Sequence, residues 1–303
     1  MQPYPVALKM FETELIMKKY IGMFFALSSG ILWGIIGLFV RYFSDLGLSS
    51  LQVGFVRMAI ACLCTFVYMM LMRRKELRIR LKDLWCFAGS GLVGMLTACV
   101  TYFISMDKIS LSAAAILMYT APVYVTLFGV LFFKERVTKK TVFAMILAFA
   151  ACVFVCAPSH NGSLSAAGIG FGLCAGVSFA LYSVFARFAY NRGYSTWTVT
   201  FYSFAFSALG AGILCDVGGV VQVMALPASW PWGLCLGIVC AFAPYVLYGL
   251  ALKRLSGSVV TILSSVEPVV ATITGVLCFS EPFGLTGKLG IGLMLAAIFL
   301  LAK

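Results

Sequence analysis

The sequence predicts an all-α polytopic membrane protein with ten transmembrane helices arranged as two inverted five-helix repeats. Three observations carry that expectation. The chain is 62% hydrophobic and only 11% charged over 303 residues, against roughly 25% charged in soluble domains, and its mean hydropathy is +1.05. Apolar runs of about 20 residues, enough to cross a hydrocarbon core as helix, succeed one another along the whole chain. Finally, the sequence repeats itself 146 residues on without slipping. Phe39, Arg41, Gly47, Ser49, Val53 and Phe55 return as Phe185, Arg187, Gly193, Ser195, Val199 and Phe201. A repeat this long is a duplicated structural unit.

The elements follow in order. Residues 1–19 contain Pro5, Glu12 and Glu14 among their basic residues, too polar for a cleaved leader, and are expected to form a short cytoplasmic tail. The first repeat, 20–158, holds spans near 20–43, 51–72, 83–106, 110–133 and 138–158. The second, 167–303, holds spans near 167–190, 195–217, 229–251, 256–279 and 283–302. Helix is required because the bilayer offers no water to backbone groups, and no alternating barrel pattern is present. Each repeat crosses five times, an odd number, so the second copy lies upside down relative to the first. Transporters are commonly built from such inverted repeats.

Charge sets the orientation. With the N-terminus inside, eighteen Lys and Arg fall on the cytoplasmic side, among them Lys18, Lys19, Arg73 to Lys82, Lys134 to Lys140, Arg187, Arg192, Lys253 and Arg254. Only Arg41, Lys108 and Lys288 fall on the other, and Arg57 lies within a span. Eighteen against three is a decisive positive-inside bias, so both termini are expected in the cytoplasm. The net charge of +12 therefore faces an anionic leaflet rather than nucleic acid. The eleven cysteines lie mostly inside apolar spans, with no Cys-x-x-Cys, and the single His160 stands in a polar loop. They are read as small buried hydrophobes; no metal and no cofactor is expected.

The fourth and ninth spans carry the strongest local pattern. Ser112, Ala115, Tyr119, Pro122 and Thr126 step by three and four and so share a face. Their counterparts are Ser258, Thr261, Ser265, Pro268 and Thr272. Each proline stands near half-span and cannot donate to the carbonyl four residues back, that of Met118 or Ser264. Such a carbonyl must line protein or a watery cavity. Pro122 and Pro268 are read as hinges of a pathway, with packing kinks as the plainer alternative. Glu267, just before Pro268, stands on the order of 18 Å from either end of its span. An acid at that depth costs about 2.5–3.5 kcal/mol on insertion scales and marks a substrate or proton site. Its counterpart is Ala121, so duplication does not demand it. The alternative is a structural hydrogen bond to a neighbouring helix.

Other polar groups weigh differently. Arg57, about 9 Å inside the outer boundary, can snorkel outward along its stem and is read as structural. Glu135 and Glu281 precede the fifth and tenth spans, where an acid suits the positive end of the next helix; both are read as structural. Trp33, Tyr102, Tyr119, Tyr182, Tyr245, Tyr248 and Ser265 join Glu267 as candidate substrate contacts. An aromatic box beside an acid is what a cationic amine requires, whereas packing is the plainer role for any one ring.

On Phe55-Val56-Arg57, on Pro122-Val123 leading through Gly129-Val130-Leu131 to Glu135, and on Glu267-Pro268-Val269 leading through Gly275-Val276-Leu277 to Glu281, the chain resembles the drug/metabolite transporter superfamily in its ten-helix EamA-like branch. The resemblance covers nearly everything after Lys19. It implies a basket of helices around a central cavity between spans 1, 3, 4, 6, 8 and 9, and alternating access by rocking of the halves. It also implies small-molecule cargo: amino acids, other metabolites, quaternary ammonium compounds or nucleotide sugars. Glu267 fits the acid-before-proline position of many relatives, whereas the first half lacks that acid.

The expected function is secondary transport, as an exporter of a small amine-bearing metabolite, an amino acid above all, across the bacterial inner membrane. Glu267 would take the ammonium or a coupled proton. The alternative is an importer of a choline-like cation. An intramembrane enzyme would need a nucleophile–base or metal cluster at depth, and a scaffold or sensor would show no flux. The topology has a direct test in a cysteine-free background. Asn161→Cys should react with an impermeant reagent from outside and Arg78→Cys should not. Labelling of position 161 only after lysis would end the inverted-repeat reading.

Overall fold

A computed structural model describes residues 4–109, 111–156, 165–279 and 284–302. Nine of its helices are long and apolar enough to cross a membrane. They are α1 (Ile16–Asp45), α2 (Ser50–Met72), α3 (Leu81–Lys108) and α4 (Ala113–Phe133), then α6 (Ala166–Asn191), α7 (Thr196–Leu214), α8 (Ser229–Leu252), α9 (Gly257–Cys278) and α10 (Leu285–Ala302). Between α4 and α6 stands α5, Lys139–Val155, whose 17 residues fall just short of a full span. The boundaries lie within a few residues of those expected from the sequence. The segment read as a tail is itself helical, since the first helix begins at Tyr4.

Local signals explain the ends. Gly47 and Gly193, repeat counterparts, both adopt φ of +87°, a region open to glycine at little cost. Two residues later Ser49 caps α2 in a reciprocal capping box with Gln52, and Ser195 caps α7 through the Thr198 amide. Each satisfies an amide that helix geometry leaves without a partner. The faces of the bundle are apolar: Leu71, Ile213, Leu277 and Phe299 are among the most exposed side chains, as lipid contact requires. At the membrane edge Tyr42 stacks on Trp232 at 4.7 Å. On the face carrying most of the basic residues, Arg192 lies over Trp85 at 4.8 Å and Arg254 over Phe25 at 5.1 Å.

Packing follows the duplication. Helix α3 packs on α6 as α1 packs on α8; α4 packs on α6 as α9 packs on α1; α2 meets α8 as α7 meets α3. The pairs α2–α7, α4–α9 and α5–α10 map onto themselves when the halves are exchanged. This is a pseudo-two-fold arrangement of inverted repeats. Glycines make the closest approaches, as in membrane bundles generally. A Cβ on Gly22 would meet Leu255 at 2.8 Å, and one on its counterpart Gly168 would meet Ile109 at 2.6 Å. Gly37 is different: nothing lies within 4 Å of its Cβ position, so it serves no helix contact.

The symmetry is broken where α4 meets α9. The halves of α4 and α9 towards the basic face, Ala121–Phe133 and Gly257–Ser264, pack against each other, whereas their counterparts Leu111–Met118 and Glu267–Phe279 make no comparable contact. The bundle is thus closed towards the basic face and parted towards the opposite one.

Gly30 and Gly37 allow a matched test. A Cβ on Gly30 would collide with the Ser264 carbonyl, and overpacking of this kind costs about 1–3 kcal/mol. Gly30→Ala should lower the melting temperature in detergent, whereas Gly37→Ala should leave it unchanged or raise it. Equal melting temperatures would show that α1 does not depend on that approach.

Candidate functional site

Two interrupted helices build the centre. Helix α4 breaks at Tyr119–Thr120 and resumes at Ala121 with Pro122 in its first turn. Helix α9 breaks at Ser265–Val266 and resumes at Glu267 with Pro268 next. Both breaks stand where proline removes a donor and favours the first turn of a new helix. The carbonyls set free are covered by protein: that of Met118 lies 3.2 Å from a Cβ position on Gly176 of α6, and that of Ser264 abuts Gly30 of α1. Gly30 and Gly176 are repeat counterparts. Thr126 and Thr272, also counterparts, return their hydroxyls to the Pro122 and Pro268 carbonyls at 2.7 and 3.0 Å. Glu267 gains from the break, because it occupies the first turn of a half-helix, the positive end of its dipole.

Between the breaks lies a small cavity of about 20 Å³ lined by Trp33, Met118, Tyr119, Ala121, Pro122, Phe179, Thr261, Ser264, Ser265 and Glu267. Four pairs among these are repeat counterparts: Trp33 with Phe179, Met118 with Ser264, Tyr119 with Ser265 and Ala121 with Glu267. The cavity therefore lies on the pseudo-two-fold axis, with different chemistry from each half. Its volume admits about one water, so this conformation is contracted around the acid. A larger concavity of about 540 Å³ lies between Leu46–Gln52 and Asp216–Val223 at the opposite face. It is shallow, and Gln52 there already donates to the Asp216 carbonyl at 2.9 Å, so the smaller, acid-bearing cavity is the better candidate.

The candidate residues divide accordingly. Glu267, Trp33, Tyr119, Ser265 and Pro122 line the cavity. Tyr245 and Tyr248 stand behind Trp33, with ring centroids 5.1 and 5.6 Å away, and Tyr182 packs edge-on to Tyr245 at 5.3 Å. Pro268 is buried in the first turn beside Glu267. Tyr102 does not line the cavity, although its hydroxyl lies within the electrostatic reach of Glu267. Phe179, Thr261 and Ser264 were not among the candidates. Phe179 was legible all the same, as the repeat counterpart of Trp33.

Glu135 has a different place from the one expected. It folds back over Gly129, pairs with Arg187 of α6 and accepts from the Gly257 amide of α9 at 3.2 Å. The acid thus suits the start of α9 rather than of α5, and joins the two halves at the basic face. A polar path links it to the aromatic cluster: Ser183 to Tyr248 at 2.8 Å, Tyr248 to Thr261 at 3.0 Å, and Thr261 to the Gly257 carbonyl at 2.8 Å. Glu281, its counterpart, lies outside the described residues. Arg57 is half-buried, and its Nε has no hydrogen-bond partner among the described residues.

The EamA-like transporter family matches residues 20–157 and again 166–303. An uncharacterized transporter of Archaeoglobus fulgidus is 28% identical over 90% of this chain and 93% of its own. The uncharacterized transporter YwfM of Bacillus subtilis is 24% identical over 94% and 95%. The pseudopaline exporter CntI of Pseudomonas aeruginosa is 26% identical over 84% and 86%. One crystal structure shares the fold with a TM-score of 0.78 at 19% identity, covering 92% of this chain and 95% of that one.

The Glu135 clamp predicts an accessibility change. With Ser183→Cys in a cysteine-free background, adding Glu135→Gln should speed labelling from the basic face about tenfold or more, the equivalent of losing one charge-assisted contact. An unchanged rate would show that the clamp does not hold that face shut.

Proposed function

This chain belongs to the EamA-like transporter family, whose members are transporters and not enzymes, and we propose that it exports a small amine-bearing metabolite, an amino acid, across the bacterial inner membrane by alternating access. The observation that carries the reading is Glu267: an acid mid-way along a helix apolar enough to span, in the first turn of a half-helix, facing a cavity shared by both repeats. Burying it for stability alone is costly, and its counterpart Ala121 shows that the helix break does not need it. A carboxylate flanked by Trp33 and Tyr119 suits an ammonium, which it can pair while the rings supply cation–π contact.

The direction rests on CntI, whose name states export. The orientation rests on the positive-inside bias, which makes the basic face cytoplasmic. In that frame the contact between α4 and α9, with the Glu135–Arg187–Gly257 clamp beneath it, closes the cytoplasmic side. The inward-facing state would exchange this contact for its counterpart on the outer side, opening the clamp while leaving the axial cavity in place. Pro122 and Pro268 would act as the hinges, because neither break has a complete hydrogen-bond ladder to restore.

Glu267→Gln keeps the shape and removes the charge. Reconstituted into proteoliposomes and screened by counterflow with the common amino acids, the variant should lose substrate affinity at least about tenfold, as expected for a charged contact. Exchange that persists without accumulation against a pH gradient would instead assign Glu267 to a coupled proton. Wild-type transport at every pH would remove Glu267 from the site.

A further inference from the structure

We propose that Arg57 supplies the anion-binding half of the substrate site, so that the cargo is a zwitterion held by its carboxylate at Arg57 and its ammonium at Glu267. This rests on the function proposed above and narrows it. Arg57 stands in the second turn of α2, between Val56 and Met58, both buried. Its counterpart in the second half is Ser203, which is fully buried and shares a 2.5 Å hydrogen bond with Ser90 of α3. This position therefore points into the bundle in both repeats, not outward to the headgroups. Only in the first half does it bear a charge.

Arg57 stands where α2 packs on α3 and α8. Gly54, one turn before Arg57, brings α2 to within 3.1 Å of Cys99 on α3, measured from its Cβ position, and α2 packs along Ile238–Phe242 of α8. Cys99, Cys240, Tyr245 and Glu267 lie within electrostatic reach of Arg57. Tyr245 in turn touches Trp33 of the cavity wall. Glu267 is the acid within this reach, yet the two do not form an ion pair. A buried guanidinium nitrogen without an acceptor is expensive, and folding alone would favour a second serine, as at position 203.

A guanidinium and a carboxylate that stand within electrostatic reach without pairing match the two ends of an α-amino acid. They do not match a choline-like cation, which Arg57 would repel. Guanidinium binds carboxylate by a two-point fork that ammonium cannot reproduce.

The test uses purified full-length protein in detergent, with ligand-induced thermal stabilisation as readout. The probes are the common amino acids and, for each, its decarboxylated amine. In the wild type at least one amino acid should bind about tenfold or more tightly than its amine. Arg57→Gln should abolish that preference by weakening the amino acid alone, and Arg57→Lys should restore part of it. An amine that binds as tightly as its amino acid overturns this inference and leaves the amine-transport reading intact. Unchanged discrimination in Arg57→Gln, with a lower melting temperature before ligand is added, also overturns it and makes Arg57 a packing residue. No stabilisation by any amino acid or amine overturns both readings.

Discussion

No backbone carbonyl can be left bare in the hydrocarbon core, and the centre of this protein is organised around two that its prolines set free. A helix broken at half-span in lipid is tolerated only where protein or a polar cavity covers the break. Here Gly30 and Gly176 provide the cover by bringing α1 and α6 against the interruptions of α9 and α4. Those contacts fix α1 beside α9 and α6 beside α4. They also place Trp33 and Phe179, one turn further along their helices, over the cavity. The site exists because the breaks must be covered.

The duplication turns one solution into two, and the proposed specificity rests on the differences between the copies. Where the repeats agree, as at the two glycines and two prolines, the residues serve the architecture. Where they disagree, at Ala121 and Glu267, Tyr119 and Ser265, or Arg57 and Ser203, one copy carries a group that packing does not ask for. A cavity on the axis of inverted repeats stays accessible from either face in turn while its lining remains the same. Asymmetric chemistry can then be placed there without disturbing the exchange of packing around it.

Closure at the basic face depends on interactions of another kind. Glu135 reaches α9 and α6 only because Gly129 leaves room for its carboxyl to fold back. A charge-assisted contact between the halves suits a joint that opens in the proposed alternating access. The chain Ser183–Tyr248–Thr261–Gly257 ties that joint to the rings behind Trp33, giving the cavity and the clamp a common hydrogen-bonded framework.

The sequence by itself determined the helical class, the approximate spans, the duplication, the two breaks and the anomalous acid. Each of these is local or periodic: run length, a fixed offset, a proline's missing donor, the cost of a carboxylate at depth. It also held Phe179, through the repeat of Trp33. Only the tertiary structure decided which groups meet. Glu135 reaches the start of α9 and not α5, Gly37 touches nothing while Gly30 touches Ser264, and Tyr248 backs the cavity wall while its counterpart Tyr102 stands aside. Arg57 turns inward, although a long side chain near a helix end could equally have snorkelled to the surface. In each case two local outcomes were of similar cost. The choice fell to residues more than a hundred positions away, brought close by helix packing that no local pattern encodes.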